Sequence, residues 1–491
     1  MQGDLFAPVQ VDTPQQSAIV GEFRSGTENV AAIARAGTGK TSTIVRGIAA
    51  RPPRTRATLC AFSKGIADEL ARRVRDPFVK VKTLHAVGYG AVLRAFGRQV
   101  PNKHRERNIA ARIADIDEDD EAAESIGRIA QMGKEIAPAE ATDVSRLAEI
   151  AVDFGLAGEE DDAHPLGLAV RAQIASEVVR ASLAVSGEIS FSDMLYLPIA
   201  LELSPDESDL VVVDEAQDMN LAHHQLAERM RRRSGRIVIV GDPRQAIYSW
   251  RGAAPGALEQ FAARLRAKIL GLTVTFRCGR AIVAEARKIV QDIEAAPGAI
   301  DGVVRSSQVA EMLAAVRPGD FLLSRTNAPL IRMCLGIRRR GGNAIVASGD
   351  LEAGLVGIVR SVARAPMSGV AFLVALRRWR GREVDRALKA GRKVRADLIA
   401  DQADTLEEIA VGAHTVDGIV ANIHSLFVDD GKPSTLCSTV HKAKGREADR
   451  VWILEDTFTD RASSPQEELE QANLRYVAVT RARRELVYTT P

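Results

Sequence analysis

The apolar run Val30-Ala31-Ala32-Ile33 leads directly into Ala34-Arg35-Ala36-Gly37-Thr38-Gly39-Lys40-Thr41, and a helical stretch follows. A phosphate-binding loop requires this order of strand, turn and helix, because successive backbone N–H groups and a helix N-terminus must converge on the phosphates. Gly37 and Gly39 permit the backbone, with Ala36 and Thr38 completing the cradle. Lys40 is placed to reach the β and γ phosphates of ATP, and Thr41 to offer its hydroxyl to Mg²⁺. A glycine-rich turn in a sheet that binds no nucleotide is the plainer alternative. Ala34 replaces the first glycine of the strict pattern, but the tight GTGKT core outweighs that departure.

Comparable β-branched runs recur at 30–34, 57–61, 210–213, 237–240, 321–323 and 450–454, many of them separated by helical patterns. That alternation implies an α/β chain with parallel sheets. With 491 residues the chain exceeds one core and has room for roughly three to four packed units. Two stretches break the alternation. Residues 100–190 read as an acidic, helical insertion, with the runs 117–121 and 159–162 as solvated faces or loops. Residues 351–433 read as a second, smaller helical insertion whose centre, RRWRGREVDRALKAGRKVR, is densely basic. The run Arg231-Arg232-Arg233 reads as a solvated helix face.

Apolar residues at 46% and charged residues at 26% are ordinary for a soluble globular protein. The net charge of +2 means that any nucleic-acid affinity must come from local basic surfaces. Cys60, Cys278, Cys334 and Cys437 show neither disulfide-framework nor zinc spacing, which fits a reducing compartment. The start MQGDLFAPVQ lacks a basic, then apolar leader, and no apolar run approaches the ~20 residues of a membrane span. No membrane association is expected, and the expected compartment is the cytosol, for a bacterial or a viral protein alike.

A second element, LVVVDEAQD at 210–218, is a buried-strand run ending in two carboxylates. Phosphoryl transfer to water needs one acid to hold Mg²⁺, which suits Asp214, and another to orient or deprotonate the water, which suits Glu215. Alone, such a pair is more often a loop or a helix cap; joined to a phosphate loop it reads as catalytic. Thr13-Pro14-Gln15-Gln16 has the form of a helix N-cap, with Pro at the first helical position and Gln at the third, and a capping box explains it fully.

Seven segments, TPQQ, ARAGTGKT, TLHAVGYG, VVVDEAQD, IVIVGDPRQAIYSWRGA, TVHKAKGREAD and NLRYVAVTRA, stand in the order of the motifs of UvrD/Rep-type superfamily 1 DNA helicases, which the chain resembles from Thr13 to Ala482. The resemblance implies two RecA-like motor lobes with ATP between them: residues 1–99 with 191–272, and 273–350 with 434–491, each interrupted by a helical insertion. It makes Gln16 an adenine contact, Gln245 the γ-phosphate sensor and Glu447 a ribose contact. It also makes Arg277 and Arg481 the arginines that reach the γ-phosphate from the second lobe, with Phe276 stacking on adenine. Planar, permanently charged donors suit that role, although a surface ion pair is the commoner fate of a lone Arg. Tyr476 reads as a packing residue. Phe276 stands where the family has tyrosine, Gln471 and Ala472 where it has a more charged pair, and the second insertion is shorter than in larger members.

A sequence-blind motor holds phosphates with donors and stacks bases on aromatics. Aromatics are 4% of residues, yet Tyr248 and Trp250 fall close together after Gln245, with Arg251 beside them. Core packing is the alternative for Trp250. By resemblance, Phe62, Ser63 and Lys64 in AFSKG and Thr83 and His85 in TLHAVG touch the DNA; a satisfied helix-cap histidine suits His85 as well. The implied function is ATP- and Mg²⁺-dependent 3′-to-5′ translocation on single-stranded DNA with separation of tailed duplexes. Two alternatives stay open: a translocase that strips proteins without useful unwinding, and a nucleotide-switched DNA-binding regulator that does not step.

Overall fold

A computed structural model describes residues 12–118, 121–156, 166–185, 187–247, 256–347, 351–363, 365–389, 393–428, 431–458 and 464–491. Its frame is two six-stranded, all-parallel sheets. The first contains Val30–Ala34 (β1), Ala57–Ala61 (β2), Val79–Thr83 (β3), Ser208–Val213 (β4), Arg231–Gly241 (β5) and Lys268–Leu272 (β6), in the order β3-β2-β4-β5-β1-β6. The second contains Val303–Gln308 (β7), Phe321–Ser324 (β8), Ala344–Val346 (β9), Thr435–Thr439 (β10), Ala448–Leu454 (β11) and Ala482–Thr490 (β12), in the order β7-β12-β11-β8-β10-β9.

Parallel strands need crossover helices, and helices on both faces bury both sides of the sheet. The side-chain period of two then divides each strand between two cores. In β1, Val30, Ala32 and Ala34 join Ile44, Ile48 and Phe23 on one face, whereas Ala31 joins Phe261 and Leu226 on the other. Likewise in β11, Val451 and Ile453 pack with Val477 and Leu486, while Trp452 and Leu454 pack with Ile331 and Phe372.

The β-branched runs anticipate β1, β2, β4, β5, β8 and β11. Of the strands those runs leave out, β3, β6, β7 and β9 are sheet edges and β10 and β12 are interior; charged or polar residues interrupt β3, β7, β10 and β12, and β9 is only three residues long. The helix-face reading of Arg231, Arg232 and Arg233 is wrong. They open β5, and Arg232 is tied to Asp209 at 2.9 Å, so the run projects from the end of a strand.

Within 100–190 the helices Arg105–Ala114, Glu121–Ile136, Val144–Asp153 and Leu168–Ser182 form a bundle, entered and left through the paired strands Val100–Pro101 and Glu188–Ile189. Within 351–433 lie the helices Leu351–Val362, Gly369–Lys389, Lys393–Ala410 and Val416–Phe427. The acidic run 159–162 and part of the run 117–121 fall outside the described residues. No described helix is long and apolar enough to cross a membrane.

Candidate functional site

In an open parallel sheet the chain turns at the carboxyl ends of the strands, and polar side chains gather there. Lys40 follows β1, Phe62 follows β2, Asp214 follows β4 and Gln245 follows β5. The turn after β1 takes positive φ at Gly37 (72°) and Gly39 (77°), which only glycine adopts at low cost. A Cβ at Gly37 would lie 2.5 Å from the Cβ of Arg277 and from Oγ1 of Thr275, so the close approach also demands glycine.

Three neighbours hold this loop. The Ala36 N–H donates to the Tyr476 hydroxyl at 3.0 Å, the Gly37 carbonyl accepts from the Phe276 N–H at 2.9 Å, and the Thr38 carbonyl accepts from Nε2 of Gln16 at 3.0 Å. Gln16 also completes the expected capping box, its Oε1 accepting from the Thr13 N–H. Among the described residues no protein acceptor takes the N–H groups of Gly37, Gly39, Lys40 or Thr41. Unpaired donors at a helix N-terminus are a ready anion site.

Facing the loop, Glu215 adopts left-handed backbone (φ 52°), a strained choice for a non-glycine residue. Its carboxylate lies 3.1 Å from Nζ of Lys40 and 2.5 Å from Nε2 of Gln217, whose Oε1 in turn accepts from the Asp242 N–H. Burial first, and then the neighbouring Glu215, push the buried Asp214 up to about 7. Burial opposes the charge on Glu215, but Lys40 and Lys444 outweigh it and hold that carboxyl well below the usual range. Burial likewise opposes the charge on Lys40, and Glu215, Asp214 and Asp242 together overcome it and raise its pKa. The site thus holds two adjacent carboxyls in opposite states, Glu215 kept charged by Lys40 and Lys444 and Asp214 raised by burial. An oxygen-only donor set of Thr41 and Asp214, completed by phosphate oxygens, fits Mg²⁺, which prefers few protein ligands.

The opposite wall comes from the second sheet and its helix Pro465–Val479. Arg481 is 1% exposed, yet no described carboxylate pairs with it. Its guanidinium donates instead to the carbonyls of Val477 (3.0 Å) and Arg446 (3.1 Å), and its NH2 lies 3.5 Å from Oε1 of Gln245. Burial, then the nearby Arg277, lower its pKa to about 9. Gln245 also donates to Asp242 at 2.7 Å, so it links the aspartate to the arginine.

Arg277 ion-pairs with Glu447 and donates to the Thr480 carbonyl at 3.3 Å. The residues read as phosphate and ribose contacts are therefore brought together and bound to each other. Phe276 is 37% exposed, with its backbone against the phosphate loop. Tyr476 is buried as a packing residue would be, but packing alone is the wrong description, because its hydroxyl bonds the phosphate loop from the far lobe.

Lys444, which the sequence reading does not single out, bridges Asp218 (2.6 Å) and the Gln245 carbonyl (2.7 Å). Arg35, inside the loop, pairs with Asp242 and Asp292. Both lie within motifs already in view, yet nothing in the sequence shows that Lys444 meets a residue 226 positions away.

At the ends of β2 and β3 lie Phe62, Thr83 and His85. Thr83, rather than His85, supplies the helix cap: its hydroxyl accepts from the Ala86 N–H. His85 is pushed down to about 4 by burial, so it offers a neutral ring rather than a charge. It meets Phe191 edge-on at 6.2 Å, and Phe191, absent from the sequence reading, is 53% exposed. Residues 248–255, and with them Tyr248, Trp250 and Arg251, lie outside the described residues.

The comparisons with known proteins agree with this frame. The model of the UvrD/REP helicase N-terminal domain matches residues 13–266, and that of the UvrD-like helicase C-terminal domain matches residues 435–488. The F-box DNA helicase protein 1 of Schizosaccharomyces pombe is 26% identical over 97% of this chain and 57% of its own length. DNA helicase II of Rickettsia typhi is 27% identical over 53% of the chain and 42% of its own, and the ATP-dependent DNA helicase Rep of Salmonella typhimurium is 36% identical over 14% of the chain and 11% of its own. The chain thus spans little more than half the length of the first of these relatives and less of the others. A single domain model covers more than half of its residues and contains both the phosphate loop and the paired carboxyls, and on that ground the chain belongs to the UvrD/Rep helicase family.

Proposed function

We propose that the chain hydrolyses ATP to move 3′ to 5′ along single-stranded DNA and that it separates tailed duplex DNA. The observation that carries this reading is a phosphate loop on one sheet and, supplied by the other, a buried arginine, Arg481, that reaches Gln245 and pairs with no described carboxylate. A buried cation that makes no ion pair is costly unless an anion completes its shell, and a polyphosphate between the lobes would do so.

In this reading the free N–H groups of the loop and Lys40 bind the phosphates, with Phe276 against adenine, Gln16 beside it and Glu447 at the ribose. Thr41 and Asp214 would hold Mg²⁺, which when bound would offset charge on the phosphate oxygens. Glu215 orients the attacking water and takes its proton. Arg277 and Arg481 stabilise charge on the transferred group, and Gln245 passes the state of the γ-phosphate to the DNA-facing segment. Because Lys40 holds Glu215, and Glu447 holds Arg277, nucleotide must exchange both pairs for its own contacts. Phe62, His85, Phe191, Tyr248 and Trp250 would stack bases, and Thr83 and Arg251 would hold the backbone of the strand. The four cysteines are all free and buried, which suits action in the cytosol.

The test is ATP turnover with and without single-stranded DNA, together with strand separation on duplexes carrying 3′ or 5′ tails. DNA-stimulated turnover with unwinding from 3′ tails alone supports the proposal. Stimulated turnover without unwinding favours a protein-stripping translocase, and turnover indifferent to DNA favours a nucleotide-switched regulator.

A further inference from the structure

The helix Pro465–Val479 grips the first lobe at more than its arginine. One turn before Tyr476, Nδ2 of Asn473 donates to the Ala246 carbonyl at 3.1 Å and lies 3.4 Å from that of Pro243, the segment that carries Gln245. Tyr476 itself is fully buried and accepts the N–H of Ala36, a residue only 1% exposed. Arg481 follows five positions later, just beyond the helix end. One helix end therefore holds the phosphate loop and the sensor segment and delivers the arginine.

We propose that Tyr476 is a positioning residue that latches the phosphate loop to the second lobe, so that the loop reaches its hydrolytic geometry only when the lobes are together. This rests on the nucleotide-site reading above. With the lobes apart, water can satisfy the Ala36 N–H. With the lobes together, the tyrosine hydroxyl is its acceptor among the described residues, and a buried donor without its acceptor is penalised. Loss of the hydroxyl therefore disfavours closure while leaving the loop's own contacts to nucleotide intact. The effect falls on turnover at saturating ATP rather than on affinity.

Tyr476→Phe keeps the ring and removes only the acceptor. Tyr488→Phe is the control, since that hydroxyl bonds Glu285 within the second lobe. With the full chain and an oligothymidylate, Tyr476→Phe is expected to lower kcat about tenfold and to leave the affinity for a fluorescent ATP analogue within about twofold. The population of the closed state, read by energy transfer between dyes on the two lobes, should fall in parallel, and Tyr488→Phe should match the wild type in all three measurements. Unchanged kcat in Tyr476→Phe overturns the latch. So do matched losses in kcat and affinity, which would place the hydroxyl in nucleotide binding, and a lowered kcat with an unchanged closed population. Absence of turnover in the wild type would instead overturn the nucleotide reading, and the latch with it.

Discussion

The ammonium of Lys40 lies 3.1 Å from the carboxylate of Glu215, so the cation of the phosphate loop is held by the proposed general base. A phosphate entering the loop competes with Glu215 for Lys40 and releases the carboxylate toward water. Lys40→Ala should abolish hydrolysis and weaken nucleotide binding. Glu215→Gln should spare binding and lower kcat by about 10²- to 10⁴-fold, the usual contribution of a positioned general base. Equilibrium binding of a fluorescent nucleotide and steady-state turnover separate the two. Near-wild-type turnover in Glu215→Gln at saturating ATP and DNA would remove the residue from its role.

Arg481 makes its contacts to carbonyls and to Gln245, and among the described residues no carboxylate forms an ion pair with it. Arg481→Ala should lower kcat by about 10²- to 10³-fold with a much smaller change in ATP affinity, because the contact strengthens as charge develops on the transferred group. Arg481→Lys should not restore turnover, since an ammonium cannot keep the fork of donors now aimed at Val477, Arg446 and Gln245. Comparable losses in affinity and kcat would assign the arginine to ground-state binding.

The phosphate loop, the acid pair and the capping box at Thr13 were legible because each is local: a strand, a turn and a helix start within a few residues. Strands were legible where an apolar run is continuous, as at β4 and the end of β5, and illegible where polar residues interrupt it, as at the edge strand β3, Val-Lys-Val-Lys-Thr, and the interior strand β10, Thr-Leu-Cys-Ser-Thr. Pairings across the two lobes left no local trace. Tyr476 and Ala36 are 440 positions apart, and only the docking of one sheet on the other turns a core-like tyrosine into a hydrogen-bond acceptor for the loop. Phe191 stayed hidden for a related reason. A lone aromatic at the start of a helix reads as core until the fold shows it exposed.

The helical bundle of residues 100–190 is anchored to the first lobe by a buried cluster. Nζ of the fully buried Lys134 reaches Asp193 (2.6 Å), Ser182 (2.8 Å) and Glu106 (3.0 Å), and Arg105 also pairs with Asp193. Lys134→Met should cost about 3 to 5 kcal/mol, because Glu106 then loses its buried counter-charge and Asp193 keeps only Arg105. Adding Glu106→Gln should recover part of the loss, in a double-mutant cycle followed by urea denaturation. If Lys134→Met unfolded at the same urea concentration as the wild type, the cluster would not be what holds the bundle.

The proposed DNA track joins residues from several segments. Phe191 presents half of its ring to solvent beside a neutral His85, and Trp250 follows Gln245 by five positions in the sequence. If both are base platforms, Trp250→Ala and Phe191→Ala should each weaken single-strand binding by about 1 to 3 kcal/mol while basal hydrolysis survives. They should nevertheless differ in a second respect. Trp250 shares its segment with the γ-phosphate sensor, so Trp250→Ala should also blunt the stimulation of turnover at saturating DNA, and Trp250→Phe should retain more of it. Phe191 is carried on a helix anchored to the insertion through Asp193, so Phe191→Ala should raise the DNA concentration needed for stimulation and leave its maximum nearly unchanged. Fluorescence anisotropy on a labelled oligonucleotide and DNA-titrated ATPase assays read both quantities. Normal affinity and normal stimulation in both variants would return the two aromatics to packing roles. A joint fall in thermal stability and basal turnover would do the same for whichever variant showed it.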